Sequence, residues 1–199
     1  MVLNRRGLRA SVVSAMFALS LAIPAAAQTA ASSALSRVHI DNFGMINANY
    51  FRGAQPQGRD YADLAAIGVK TVIDLTDDDS EPMEAAMVTR AGMKAIRMPM
   101  NTRVPPTSSQ IAEFLKIVND PANQPVYVHC VGGKHRTGVM TAVYRMQTEG
   151  WNSDKAFSEM KRYKYGADFL HPEFKRFVYS FKPEPKGSVP TVVALTTQP

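Results

Sequence analysis

No disulfide can form within this chain, because Cys130 is the only cysteine in its 199 residues. That excludes a small scaffold stapled by bridges. Long apolar runs are missing too. The longest, "ASVVSAMFALSLAI", has fourteen residues, whereas a spanning helix needs about twenty. No basic stripe interleaved with aromatics is present, so nucleic acid is not an expected partner. No internal repeat is visible either. What remains is 45% apolar and 20% charged, the balance of an ordinary globular domain.

The N-terminus has the three parts of a targeting segment. Arg5, Arg6 and Arg9 form a positive start, the fourteen-residue run follows, and Ala25, Ala26 and Ala27 offer small residues for cleavage before Gln28. The formal charge of +6 owes half its value to those arginines; without residues 1–27 there are 20 basic and 17 acidic residues, or +3. We therefore expect a signal peptide over 1–27, a disordered leader over 28–37, one domain over 38–182 and a disordered tail over 183–199. The mature protein is expected to be periplasmic or secreted, with no stable membrane association. A retained anchor is the alternative, and the twin arginine of "NRRGLR" leaves open export in the folded state.

Within the domain, strand and helix patterns alternate. "NANYFRGAQPQG" reads as a short strand and turn. "DYADLAAIG" reads as a short helix capped by Asp60 and stopped by Gly68. "VKTVIDL" and "MKAIRMPM" read as strands, separated by the helix "MEAAMVTRAG" with Pro82 in its first turn. Thr107 and Gln110 have capping-box spacing ahead of "IAEFLKIV", where Ile111, Phe114, Leu115 and Val118 form one stripe. "PVYVH" suits a strand buried on both faces. Val139, Met140, Val143 and Met146 then recur at helical spacing, and further helices fit Ser153–Tyr163 and Pro172–Phe181. Trp151, His39 and His171 are read as packing or surface residues. The expected fold is α/β, a central, mainly parallel sheet of four to five strands flanked by helices.

The chemistry concentrates in "VYVHCVGGKHRTG". A loop running from a strand into a helix N-terminus aligns backbone N–H groups that have no intrahelical partner, and these bind oxyanions. Gly132 and Gly133 let the backbone curl. Cys130 at the base of the nest feels the same positive field, which favours the nucleophilic thiolate. Arg136 can close the far side as a two-pronged donor. Val131, Gly132, Gly133, Lys134, His135 and Arg136 are the expected phosphate-binding residues; Cys130, Arg136 and Thr137 are the expected catalytic ones. Thr137 is expected to donate its hydroxyl to sulfur. No metal and no cofactor is called for.

"HCVGGKHRTG" resembles the H-C-x-x-G-x-x-R signature of the cysteine-dependent protein tyrosine phosphatase superfamily. Together with "NYFRGAQP", "VKTVIDL" and "NDPANQPVYVH", it looks like the small dual-specificity-like branch of bacteria, fungi and plants, over roughly residues 40–181. The resemblance implies a phosphocysteine intermediate that water hydrolyses. It also implies an aspartate on a separate loop to protonate the leaving oxygen. By position that loop is "MNTRVPPTSS", which contains no Asp, Glu or His.

Three repairs stay open. An acid could come from Asp77, Asp78 or Asp79, with Asp78 the representative candidate, or His135 could act from within the loop. Alternatively, the substrate could need little help, as with a phosphoanhydride; "GKHRTG" is similar to a fungal and plant branch associated with inositol pyrophosphates. The expected function is an exported phosphatase of tyrosine or dual-specificity type, acting on a phosphorylated protein or a polyphosphorylated small molecule. A pseudophosphatase that binds phosphate with little turnover is the alternative. A sulfurtransferase fits less well, given the six-residue step from Cys130 to Arg136.

Overall fold

The computed structural model describes residues 35–77 and 81–185. The expected signal peptide, most of the expected leader and the tail beyond residue 185 lie outside them. Five strands form one sheet: β1 (Gly44–Asn47), β2 (Tyr50–Gly53), β3 (Thr71–Thr76), β4 (Lys94–Met100) and β5 (Val126–His129), in the order β1-β2-β5-β3-β4. Only β1 and β2 are antiparallel; the other pairings are parallel. The sheet is thus mainly parallel, as expected.

Among the described residues, six helices flank it: α1 (Asp60–Ala66), α2 (Glu84–Arg90), α3 (Ser108–Asn119), α4 (Arg136–Glu149), α5 (Ser153–Arg162) and α6 (Pro172–Ser180). Strand alternation assigns their faces. Val126 and Val128 of β5 pack with Ile73, Phe114, Val118, Met140 and Tyr144 on the α3–α4 face. Tyr127 points the other way, among Phe51, Leu64, Val72 and Val88 under α1 and α2. α4 is buried from Arg136 through Met146, because α5 and α6 cover its outer side through Val139, Ala142, Phe157, Met160, Phe174 and Val178. The nucleophile's strand therefore lies mid-sheet, and the helix that follows it is walled in on both sides.

Local chemistry explains most boundaries and corrects the readings of Asp60 and Pro82. The Thr107–Gln110 capping box forms in both directions. Asp60 does not cap α1; it is that helix's first residue, and its carboxylate accepts from the Gln57 N–H at 2.8 Å. Pro82 lies in the turn before α2 rather than inside it. β1 was not anticipated. Leu35, within the expected leader, is half-buried against the Phe51–Tyr127 cluster. At the other end, Glu184 exchanges hydrogen bonds with Gln147, Nε2 donating at 3.0 Å and Oε1 accepting at 2.8 Å, so the packed chain runs past residue 182. Trp151 packs as expected, beneath the Arg145 guanidinium and the Lys155 ammonium.

Candidate active site

The loop leaving β5 begins at Cys130, which is 4% exposed, and turns into α4 at Arg136. His135 occupies the N-cap without a side-chain cap, so no capping side chain competes with an anion for the N–H groups ahead of Gly138, whose own N–H donates to the Lys134 carbonyl at 3.1 Å. Cys130, Val131, Gly132, Lys134, His135 and Arg136 line a cavity of about 200 Å³, joined by Thr102 and His171 from two other segments. Arg136 is buried, and its Nη1 donates to the Met100 carbonyl at 3.2 Å. That bond from the end of β4 aims the guanidinium across the loop.

The loop's shape is set from below by β2. Gly133 has φ +60°, and a Cβ there would lie 2.3 Å from the Gly53 carbonyl. The Gly133 carbonyl accepts from Asn42 Nδ2 at 2.7 Å and from Arg52 Nη2, and the Val131 carbonyl accepts from the Gln55 N–H at 3.0 Å. Arg52 is fully buried, with its guanidinium 4.0 Å from the Tyr163 ring centroid. Burial lowers its pKa, while Tyr50, Tyr163 and Cys130 work in the opposite sense. A cation held beneath the loop complements negative charge on the sulfur above it. Sequence reasoning missed Arg52; a single arginine in a short strand carries no sign that it will be buried.

A second polar cluster supports β5. Among the described residues, Asp74, Glu84 and His129 form the one group whose donor atoms could hold a metal ion, all within 4.8 Å of one another and all buried. His129 Nε2 is 2.9 Å from Glu84 Oε1, close but not aligned as a hydrogen bond, and Nδ1 is 3.9 Å from Asp74 Oδ1. Asp74 also accepts from the Thr76 N–H at 2.7 Å. No metal set was expected from sequence. The two carboxylates come from β3 and the first residue of α2, and only the fold brings them to the histidine before the nucleophile.

The expected site residues are not all placed as predicted. Thr137 is fully buried, but its hydroxyl has no hydrogen-bond partner, so the donation to sulfur is not made. Gly132 is not sterically required: a Cβ there would meet only the Lys134 side chain, at 3.6 Å. Lys134 is exposed at the cavity mouth. Asp77 is exposed and does not line the cavity, while Asp78 and Asp79 lie outside the described residues. His135 does line it, with Nε2 2.9 Å from the Tyr165 carbonyl. The loop after β4 borders the site as expected but contributes Thr102 and no carboxylate. His171, read as packing or surface, instead reaches the cavity, its ring centroid 3.8 Å from that of His135.

Comparison with known proteins agrees with this geometry. The family model described as DSP-PTPase phosphatase fused to NAD+ kinase matches residues 34–176. The dual specificity protein phosphatase TpbA of Pseudomonas aeruginosa is 27% identical over 125 residues, 63% of this chain and 56% of its own length. The inositol diphosphatase SIW14 of Saccharomyces cerevisiae is 25% identical over 130 residues, again 63% of this chain but 46% of its own. The match thus spans about half the length of each of these two relatives. The TpbA crystal structure superposes with a TM-score of 0.61 at 25% identity, covering 71% of this chain and 86% of that one. The catalytic core of SIW14 shares the fold, with a TM-score of 0.62 at 22% identity over 72% of this chain and 86% of that one. With a cysteine at the foot of an anion-binding loop and an arginine six residues on, this chain belongs to the DSP-PTPase family of the cysteine-dependent protein tyrosine phosphatase superfamily and is a phosphatase of that type.

Proposed function

We propose that the chain is an exported phosphatase that hydrolyses phosphate monoesters or phosphoanhydrides through a phosphocysteine intermediate. The observation that carries this reading is the shared cavity of Cys130 and Arg136, on a loop whose carbonyls are tied down from behind. In-line attack by sulfur forms the S–P bond while charge gathers on the equatorial oxygens, where preorganised N–H groups and the Arg136 fork stabilise it. Water then cleaves the S–P bond and regenerates the thiolate. A cavity of about 200 Å³ suits a phosphoryl head, with the rest of the substrate outside.

Two substrate classes are supported by relatives. TpbA has been solved in complex with phosphotyrosine, and SIW14 is named an inositol diphosphatase. A phosphorylated protein or a polyphosphorylated small molecule is therefore the partner class we propose. Export rests on the charge, apolar run and small residues of 1–27; a mature N-terminus at Gln28 in a periplasmic or culture fraction tests it. Phosphate binding with little turnover is the second reading, favoured by the loop after β4, which offers Thr102 and no acid.

Hydrolysis of para-nitrophenyl phosphate at mildly acidic pH separates the two. The wild type should turn over, vanadate should inhibit, EDTA should not, and Cys130→Ser should abolish turnover while retaining vanadate binding. A serine variant with a tenth of the wild-type kcat would overturn the covalent mechanism. A wild type that binds vanadate but does not turn over would establish the second reading.

A further inference from the structure

We propose that His171, oriented by Glu173, is the general acid of this site, entering from the turn before α6 rather than from the loop between β4 and α3. This inference rests on the phosphatase reading above. His171 lines the same cavity as Cys130 and Arg136, opposite a loop that supplies only Thr102. Its Nδ1 is 3.1 Å from Glu173 Oε1. A carboxylate only accepts, so Nδ1 carries a proton, and a second proton on the ring belongs to Nε2. Burial pushes the Glu173 carboxyl up, but a hydrogen bond from its own backbone and the one from His171 bring it below its ordinary value. Glu173 is therefore ionised at neutral pH, a fixed anion against His171 Nδ1.

His135, the alternative within the loop, is less suited by its surroundings. Its Nε2 is 2.9 Å from a carbonyl oxygen, which can only accept, so that proton is committed to Tyr165. Burial is the main cause lowering its pKa, the Tyr165 hydrogen bond opposes it, and His171, Lys134 and Arg136 lower it further. The two imidazoles lie with ring centroids 3.8 Å apart; His171 has the Glu173 carboxylate at its ring, whereas His135 meets the Tyr165 carbonyl. The turn is also anchored. Tyr165 Oη donates to the His171 carbonyl, Arg103 Nη1 donates to the Leu170 carbonyl at 3.3 Å, and the His171 ring stacks on Phe174 at 5.8 Å.

The steps balance. As Cys130 sulfur bonds to phosphorus, the bond from phosphorus to the leaving oxygen breaks, and its electron pair takes the proton from His171 Nε2. Neutral His171 then removes a proton from the attacking water as the new O–P bond forms and the S–P bond breaks. The thiolate and the imidazolium are both restored.

Leaving-group dependence is the test, as kcat/KM for phenyl phosphate against para-nitrophenyl phosphate. A positioned acid contributes about 10²–10⁴-fold, concentrated where the leaving group is poor. His171→Asn should slow phenyl phosphate by roughly 100-fold or more and the nitrophenyl ester by less than about 5-fold. Glu173→Gln should act in the same direction more weakly, and any loss in His135→Ala should fall equally on both esters. The ionisable groups that share the cavity with His171 are Cys130, Lys134, His135 and Arg136, with Glu173 at its ring and Tyr165 beside it.

Vanadate binding by each variant reports an intact cradle. If His171→Asn does not bind vanadate, Glu173→Gln decides by the same selectivity. Equal losses on both esters, or the selective loss appearing at His135, would overturn the assignment to His171. A wild type inactive on both esters would overturn the phosphatase reading itself, a result distinct from active wild type with unselective variants.

Discussion

Gly133 sits at φ +60°, where any side chain costs about 1–2 kcal/mol, and the atom its Cβ would strike is backbone of β2 rather than a yielding side chain. Gly132, its neighbour, has room for a methyl group and faces the cavity. The two alanine variants should therefore fail in different ways. Gly133→Ala should lose about 3 kcal/mol or more of unfolding free energy in urea, combining the conformational cost with the clash. Gly132→Ala should stay within about 0.5 kcal/mol of the wild type, with its effect confined to KM for an aryl phosphate. Equal stabilities would show that β2 does not fix the loop. The same logic bears on Arg52, whose Nη2 bonds the carbonyl of that glycine: one buried cation both shapes the cradle and lies under the charge that the cradle serves.

Helix α3 sits beside the site without entering it, which makes it a clean test of local sequence signals. Thr107 accepts from the Gln110 N–H at 3.2 Å while Gln110 Oε1 accepts from the Thr107 N–H at 2.9 Å. Thr107→Ala should cost about 1 kcal/mol in urea unfolding and leave kcat/KM within about twofold; a larger catalytic loss would place the start of α3 within the cavity's machinery. Signals of this kind, contained in a few adjacent residues, were readable: the capping box, the run "PVYVH" and the apolar spacing of α4 all became what they suggested, and the Cys130–Arg136 step brings both residues to one cavity. β1 was not readable, because Gly44–Asn47 is short, lies at the sheet edge and lacks alternating β-branched residues. Neither was His171. It stands 41 positions from Cys130 and reaches the cavity only because α5 and α6 fold back over α4. The trio of Asp74, Glu84 and His129 was hidden for the same reason, since parallel pairing brings Asp74 opposite His129. Asp60 misled because a helix-favouring cap type can equally bond backwards to the preceding turn.

At the scale of the whole molecule, the order β1-β2-β5-β3-β4 separates what the chain makes early from what it completes late. β2 and β3 do not pair with each other; each pairs with β5, Tyr50 and Thr71 both meeting Val126. Until residues 126–129 are present, the N-terminal part holds only two separate two-stranded pieces, which are marginal by themselves. Closing the sheet then requires contacts between distant positions, a slow class of folding event. A fragment covering 28–124 should accordingly show no protected amides in hydrogen exchange, whereas the full chain protects β2 and β3 together; protection in the fragment would mean that β5 is not the keystone. For the export route proposed above, the consequence is one of timing. A chain whose sheet closes only on its fifth strand would remain threadable while much of it is still being made, so on that proposal the strand that delivers the nucleophile would also set when the polypeptide stops being cargo for a translocation channel and becomes a folded enzyme.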